Sequence, residues 1–187
     1  NIVLGAAQAF HDHRLLRRAG RAEFASLEAV GEQAFRIYDT PDAGMWELRT
    51  RERIHTSSAL MCWAACDRLA RIAGHRALPE RERLWQDRAT EIRGAIESRA
   101  FDPARGSFME SFGGSDVEAG LLLMAEVGFL PRGDPRFAGT VVAIEQRLRP
   151  GPHLFRYAAA DDFGLPTTAF NICTFWYIDA LARIGRA

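Results

Sequence analysis

Apolar side chains recur every three to four residues through most of this chain, a spacing typical of amphipathic helices. In residues 26–39, for example, Leu27, Val30 and Ala34 fall on one helical face. The same spacing predicts further helices over residues 57–73, from Pro79 onward, over 116–127, from Asp134 to Pro150, over 168–184 and near 6–16. We therefore expect about seven helices and an all-α fold class.

The predicted last helix, residues 168–184, is apolar on nearly all sides. Ile172, Phe175 and Ile178 accompany other large apolar residues there, and a helix of this kind is normally buried between layers. This favours helix pairs arranged in two concentric layers, as in an (α/α) toroid, over a bundle or a solenoid. The pattern alone does not decide whether such an array closes.

Composition narrows the function classes. The chain has 187 residues, enough for one domain, and its 24 Lys and Arg residues balance 24 Asp and Glu residues. This balance removes the overall basic field of a nucleic-acid binder, although a local patch stays possible. No apolar run approaches the roughly 18 residues of a membrane span. We predict neither a nucleic-acid partner nor a membrane partner.

The densest group of functional side chains lies in a predicted loop, residues 42–49 (DAGMWELR). Indole faces stack on sugar rings, and a carboxyl beside an indole loses hydration, so its pKa rises and it stays protonated, as a general acid must. Trp46 and Glu47 supply both parts. The structural alternative is that Trp46 packs on the core while Glu47 pairs with Arg49 or Arg51.

A second candidate group is Arg156 and Tyr157, followed by Asp161 and Asp162. A guanidinium group can bind vicinal hydroxyls or carboxylates, and an aromatic neighbour offers a platform for a sugar ring. The alternative is a connector whose arginine is held by one of the two aspartates. Both interpretations stay open from the sequence.

The remaining motifs, at residues 55–58 and at the cysteines, are explained by helix capping and packing and not by catalysis or metal binding. Thr56 or Ser57 is predicted to cap the helix after His55, because no G-x-S-x-G elbow accompanies them. Cys62 and Cys66 lie four residues apart, but no further Cys or His pair follows at zinc-site spacing. We predict free thiols in a reducing cytoplasm. Neither a Walker loop nor G-x-G-x-x-G occurs, so we expect no metal and no cofactor.

Residues 42–49 resemble the D-x-G-[ILM]-W-E-x-R signature of glycoside hydrolase family 15, which includes glucoamylases, glucodextranases and trehalases. Three further segments agree in order, residues 55–68, 111–136 and 155–177. The resemblance runs from about residue 8 to the end. It implies an (α/α)6 toroid, of which residues 1–187 would be a partial catalytic domain with portions missing at both ends.

The resemblance also implies an activity, the inverting hydrolysis of α-glucosidic bonds, with a carbohydrate as the partner. Glu47 falls on the family's general acid and Trp46 on its sugar-stacking neighbour. Arg156 falls on an arginine that binds sugar hydroxyls, and Tyr157 follows it. Asp42 and Arg49 match the motif and are expected to contact substrate.

Two departures from the family pattern limit this expectation. Inversion needs a second carboxylate about 6.5–9.5 Å from the acid, which the family places after its Phe-Trp helix. The last glutamate here is Glu145, so the general base is expected outside this chain, which alone should be inactive. The order of residues 54–57 (IHTS) also differs from the Phe-Thr-His-Ser of many relatives.

Two alternatives remain. One is a carbohydrate-binding or scaffold fragment without catalysis, which the missing base permits. The other is a sugar epimerase on a similar toroid, for which His55 is the candidate catalytic group near the Trp-Glu loop.

Overall fold

The computed structural model describes residues 2–12, 14, 19–48 and 51–186. Within these residues there are seven α-helices and one short β-hairpin. The helices are α1 (Ile2–His11), α2 (Arg21–Ile37), α3 (Thr56–His75), α4 (Pro79–Arg99), α5 (Leu123–Glu126), α6 (Pro135–Leu148) and α7 (Asn171–Arg183). The antiparallel strands are β1 (Phe101–Asp102) and β2 (Ser107–Phe108). The predicted all-α fold class is confirmed, and none of the described helices combines the length and apolar character of a bilayer crossing.

Most predicted helices are present with shifted ends. α2 begins at Arg21, earlier than predicted, because the Glu23 carboxylate accepts the Gly20 N–H at 2.8 Å and closes its first turn. α6 begins as predicted, since the Asp134 carboxylate accepts the Arg136 N–H at 2.9 Å. For the helix predicted near 6–16, α1 ends at His11, and residues 15 and 16 lie outside the described part of the chain.

The helix predicted over residues 116–127 is much shorter than expected. A 3-10 turn, Ala119–Leu122, leads into the single helical turn α5. Asp116 accepts the N–H of the next residue, Val117, at 2.9 Å and does not cap a helix. The chain therefore stays extended through Glu118 before it turns.

By their internal contacts, the residues divide into two compact units. Unit 1 comprises Asn1–Thr40 and Ala59–Gly94. Its core forms where Gly31 of α2 meets Leu69 of α3 and Trp85 of α4. Trp85 is fully buried, and its indole N–H donates to the Glu28 carboxylate at 2.7 Å, so its polar atom is satisfied inside the core.

Unit 2 comprises Pro41–Ser58 and Ala95–Ala187, and it holds the candidate site. Its hairpin is tied to α6, because the buried Phe108 of β2 donates its N–H to the Thr140 hydroxyl at 3.0 Å. The Phe108 ring meets Phe129 edge-on at 6.2 Å. A side chain at Gly139 would overlap the Gly106 carbonyl oxygen, which explains why glycine stands at this close approach.

The helix α7 is buried on one side only. Cys173, Tyr177 and Ala180 lie in the core, at the spacing of one helical face. On its other side Ile172, Phe175 and Ile178 are exposed, Phe175 by 65 %. The prediction that this helix is buried on all sides is therefore wrong for the residues that the structure describes, because these residues supply a packing surface for one face alone.

The packing of unit 1 predicts opposite effects for two Gly→Ala substitutions. In Gly31→Ala the new Cβ would overlap Leu69 and lie 2.7 Å from Trp85 Cη2, so we expect a loss of about 1–3 kcal/mol of unfolding free energy. Gly94→Ala is the matched control: nothing lies within 4 Å of its Cβ, and helix propensity alone should add up to about 1 kcal/mol. Urea unfolding of both variants checks this. Equal effects would contradict the close approach at Gly31.

Candidate active site

The loop that carries the Trp-Glu motif is a tight turn. Asp42 and Arg53 exchange both backbone hydrogen bonds, at 2.9 and 3.1 Å. The Asp42 carboxylate also accepts the Gly44 N–H at 2.8 Å, and the Leu48 N–H donates to the Ala43 carbonyl at 2.8 Å. Asp42 thus shapes the turn with one carboxylate oxygen. Its predicted contact with substrate stays a prediction, and Arg49 lies outside the described residues.

His55 forms the inner wall of this turn. Gly44 has φ 69° and faces the imidazole so closely that a Cβ there would lie 2.9 Å from Nε2. Glycine is therefore required both by conformation and by space. His55 is 4 % exposed, and neither ring nitrogen has a hydrogen-bond partner among the described residues.

Trp46 lies among three other aromatic side chains, which we call the aromatic cluster. Its ring centroid is 6.3 Å from that of Tyr157, 6.3 Å from that of Phe170 and 6.2 Å from that of Trp176. These are normal separations for favourable aromatic pairs. The cluster brings Trp46 to the segment that contains the second candidate group.

A buried carboxyl holds the edge of the Trp46 ring. The indole N–H donates to Glu118 Oε2 at 2.6 Å, and Glu118 is only 3 % exposed. Burial raises the pKa of Glu118 to about 7; the Ser57 hydroxyl and the Trp46 N–H oppose this rise, and the charges of Glu110 and Asp42 add to it. The desolvated carboxyl beside the indole is therefore Glu118.

Glu47 does not have the environment that we predicted. Its side chain is exposed, and its backbone has φ 55°. The prediction that Glu47 is desolvated by Trp46 is wrong within the described residues, because the indole shields a carboxyl from another segment. Both chain neighbours of Glu47, Trp46 and Leu48, line a pocket, whereas Glu47 is not among the lining residues.

Arg156 and Tyr157 join the aromatic cluster. The Arg156 guanidinium carbon lies 6.0 Å from the Trp46 ring, 5.2 Å from Tyr157 and 5.8 Å from Phe170, which places a cation on aromatic faces. The Tyr157 hydroxyl donates to the Asp161 carboxylate at 2.6 Å. Burial, followed by this hydrogen bond, raises the pKa of Tyr157 to about 12. The structure thus brings three of the predicted sugar contacts together.

The pocket beside Trp46 is small. Its cavity volume is about 20 Å³, which is room for about one water molecule. Ligand sites for small molecules span roughly 300–1,000 Å³, so the pocket within these residues does not enclose a glucosyl ring. The lining side chains are Trp46, Leu48, Arg51, Arg53, His55, Glu110, Asp116, Val117, Glu118, Tyr157 and Ala159.

Glu118 was not among the predicted site residues. Residues 116–118 begin a predicted helix, where an acidic side chain is usually explained by the helix dipole. One signal was available: Glu118 is an acid placed between Val117 and the apolar run of residues 119–125. Side chains in such a segment are normally buried, and a buried acid has a specific partner.

The chain has three cysteines, Cys62, Cys66 and Cys173. Cys66 and Cys173 are buried free thiols, as predicted, and burial raises the pKa of each to about 12. Cys62 is half-buried and forms no disulfide with the other described cysteines. In the part of the chain that the structure describes, no group of three or more His, Cys, Asp or Glu side chains could hold a metal ion.

Residues 33–187 match the family model for glycosyl hydrolases family 15. The chain belongs to this family. Among its relatives, the trehalase of Mycobacterium tuberculosis is 37 % identical over 162 residues, which are 85 % of this chain and 24 % of the trehalase. The trehalase of Thermoplasma acidophilum is 35 % identical over 80 % of this chain and 26 % of its own length. This family 15 chain thus spans about a quarter of the relatives that it matches.

Solved structures of a glycosidase match the fold of the whole chain. The wild-type glycosidase has a TM-score of 0.78 and 22 % sequence identity, over 100 % of this chain and 47 % of that one. A variant of it in complex with glucose matches equally well. At this identity the likeness concerns the fold alone, and it fits the predicted piece of an (α/α)6 toroid.

The burial of Glu118 predicts that stability falls as the pH rises from 4.5 to about 7. The carboxyl ionises near 4.5 when the chain is unfolded but keeps its proton to about 7 when folded, so in this window the folded state holds the extra proton. Glu118→Gln removes this ionisation. Between pH 4.5 and 8 we expect the wild type to lose roughly 3 kcal/mol relative to the variant, measured by urea unfolding. Parallel pH profiles of the two proteins would show that Glu118 ionises normally.

Proposed function

We propose that the protein to which this chain belongs is a glycoside hydrolase that cleaves a small α-glucoside, with trehalose as the first candidate. The observation that carries this proposal is the family 15 match over the Trp46-Glu47 loop, together with trehalases at 35–37 % identity. In this proposal residues 1–187 are part of an (α/α)6 catalytic domain.

Glu47 is the proposed general acid. It donates its proton to the glycosidic oxygen as the bond from that oxygen to C1 breaks, while a second carboxylate takes a proton from the water that adds to C1 on the opposite face. We assign that second carboxylate to residues outside this chain. The backbone of Glu47 supports a functional side chain: φ 55° costs a non-glycine residue about 1–2 kcal/mol, and such strain clusters at active sites.

The aromatic cluster supplies the proposed sugar contacts. The Trp46 ring offers a face for a sugar, and the guanidinium of Arg156 offers donors for its hydroxyls. Tyr157 lines the pocket next to them. Asp42 and Arg49 stay in the proposal as substrate contacts because they match the family motif.

A histidine-based epimerase receives less support. Its candidate residue, His55, lies against Gly44 and is 4 % exposed. The pocket that it lines has room for about one water molecule, so the imidazole is not offered to a sugar ring. We propose a cytoplasmic location for the hydrolase, supported by the free thiols of Cys66 and Cys173.

We predict that Glu47→Gln in the full-length protein lowers kcat on trehalose about 10²–10⁴-fold, the usual contribution of a general acid. Activity on α-glucosyl fluoride should fall far less, because fluoride leaves without protonation. Glu52→Gln, an exposed glutamate nearby in the chain, is the matched control and should retain full activity. Near-parental turnover of trehalose by Glu47→Gln would remove Glu47 from this role.

The stereochemistry of the product tests inversion separately. Cleavage of trehalose with inversion releases one α-glucose and one β-glucose, since only the attacked carbon changes configuration. Proton NMR of the first products, taken before mutarotation, should show the two anomers in equal amounts. Release of α-glucose alone would contradict inversion.

For the 187-residue chain itself we predict no turnover of trehalose, maltose or dextrin, because the pocket beside Trp46 is too small for a glucosyl ring and the general base is assigned elsewhere. Glucose release after long incubation measures this. Hydrolysis by the chain alone would show that it contains both carboxyls. Sugar binding that survives Glu47→Gln in a full-length protein without turnover would favour the carbohydrate-binding alternative.

A further inference from the structure

Trp46 is held by residues that lie far apart in the sequence. Its N–H bonds the Glu118 carboxylate, 72 positions further along the chain, at 2.6 Å. Its ring meets Tyr157, Phe170 and Trp176. Aromatic contacts can be satisfied by more than one arrangement, offset-stacked or edge-to-face, whereas the single indole N–H must point at its acceptor. The carboxyl is therefore the contact that selects one orientation of the ring.

We propose that Glu118 is a positioning residue that fixes the orientation of the Trp46 indole for sugar stacking. The stacking of a sugar on Trp46 rests on the proposed function. The contact between Glu118 and Trp46 is a property of the chain itself and does not depend on that function.

The backbone around Glu118 makes it a rigid support. Glu118 and Tyr157 form an isolated β-bridge, in which the Ala119 N–H donates to the Arg156 carbonyl at 2.8 Å. A side chain at Gly120 would lie 3.1 Å from Glu118 Oε1 and 3.2 Å from Ser57 Cβ. The carboxyl is thus enclosed on several sides, and only its Oε2 reaches the indole.

The hydrogen bond between the Trp46 N–H and the Glu118 carboxyl changes in strength when Glu118 ionises. A hydrogen bond to a carboxylate is roughly twice as strong as one to a neutral acceptor, and the pKa of Glu118 near 7 places this change close to neutral pH. Because Oε2 accepts the indole N–H at 2.6 Å, the proton of the neutral acid is carried by the other oxygen, Oε1. Loss of that proton strengthens the bond to the indole.

Several other ionisable groups face the same space. Arg53 pairs with Glu110 at 2.5 Å, which offsets the charge of that glutamate. Asp116 is held by Arg147 at 3.1 Å, and Tyr157 by Asp161. Further groups around Glu118 in the described part of the chain are Asp42, Arg51, His55, Arg156 and the Cys173 thiol. Of these side chains, Glu118 is the one bonded to the Trp46 N–H.

The direct test is the indole N–H signal of Trp46 in proton–nitrogen NMR spectra of the chain, identified by its loss in Trp46→Phe. We expect this signal to move downfield as the pH rises from 5 to 9, with a midpoint near 7. In Glu118→Gln the movement should disappear, because the amide still accepts the bond but does not ionise. Glu126→Gln, a matched substitution at an exposed glutamate, should keep the wild-type titration, as should His55→Gln.

The outcomes are distinct. A Trp46 signal that does not titrate in the wild type, or titrates unchanged in Glu118→Gln, would overturn the proposal. A titration lost only in His55→Gln would overturn it in favour of the imidazole. No substrate is present in this experiment, so its result does not depend on whether the protein hydrolyses a glucoside.

Kinetics of the full-length protein separate positioning from general support of the fold. Since stacking acts on bound substrate and transition state alike, Glu118→Gln should raise KM for trehalose up to about tenfold above pH 8, because a charge-assisted hydrogen bond to Trp46 is replaced by a weaker neutral one, with a smaller change in kcat. This KM effect should vanish below pH 6, where the wild-type carboxyl is protonated. Equal losses in kcat at all pH values, or wild-type KM in Glu118→Gln, would contradict a positioning role.

Discussion

The hydrogen bond between the Trp46 indole and the buried Glu118 carboxyl is the interaction on which the candidate site depends. It joins the loop of residues 42–48 to the extended segment before Ala119. That segment in turn bridges to the connector that carries Arg156 and Tyr157. Without the carboxyl, the tryptophan would keep its aromatic contacts, which more than one ring arrangement can satisfy.

Burial of the Glu118 carboxyl lowers the stability of the folded state, and its hydrogen bonds only partly compensate for the lost hydration. A carboxyl that is 3 % exposed gives up hydration, and one of its oxygens has no hydrogen-bond partner by distance and angle among the described residues. An incompletely satisfied buried group weakens a fold. A glutamine would supply an acceptor without a charge. The presence of an ionisable side chain here is therefore better explained by what it does for Trp46 than by what it does for stability.

Much of the fold could be predicted from the spacing of apolar residues, because α2, α3, α4 and α6 each bury a continuous stripe. The short helical turns and extended segments could not be predicted in this way. The segment around Asp116 contains the same apolar residues as a helix would, yet Glu118 stays extended because its backbone pairs with Tyr157. Likewise α7 has apolar residues on all sides, and the sequence does not reveal which of them find a neighbour.

The residues of the candidate site likewise include some that could be predicted from the sequence and one that could not. The motif at residues 42–49 and the pair Arg156 and Tyr157 could be found from residue types and order, and the structure brings Trp46, Arg156 and Tyr157 together. The carboxyl next to the indole could not be assigned, because sequence neighbours are not always spatial neighbours. Adjacency in the chain suggested Glu47, whereas the contact is made by Glu118 from a different segment.

The left-handed backbone at Glu47 has a practical consequence for engineering. Glycine or asparagine adopts φ 55° more readily than glutamate does. A search for thermostable variants that scores only the folded state would therefore favour replacing this very residue. If the carboxyl serves catalysis, such a screen would enrich for variants that are thermostable but inactive. Stability and activity would then place opposite demands on this one residue.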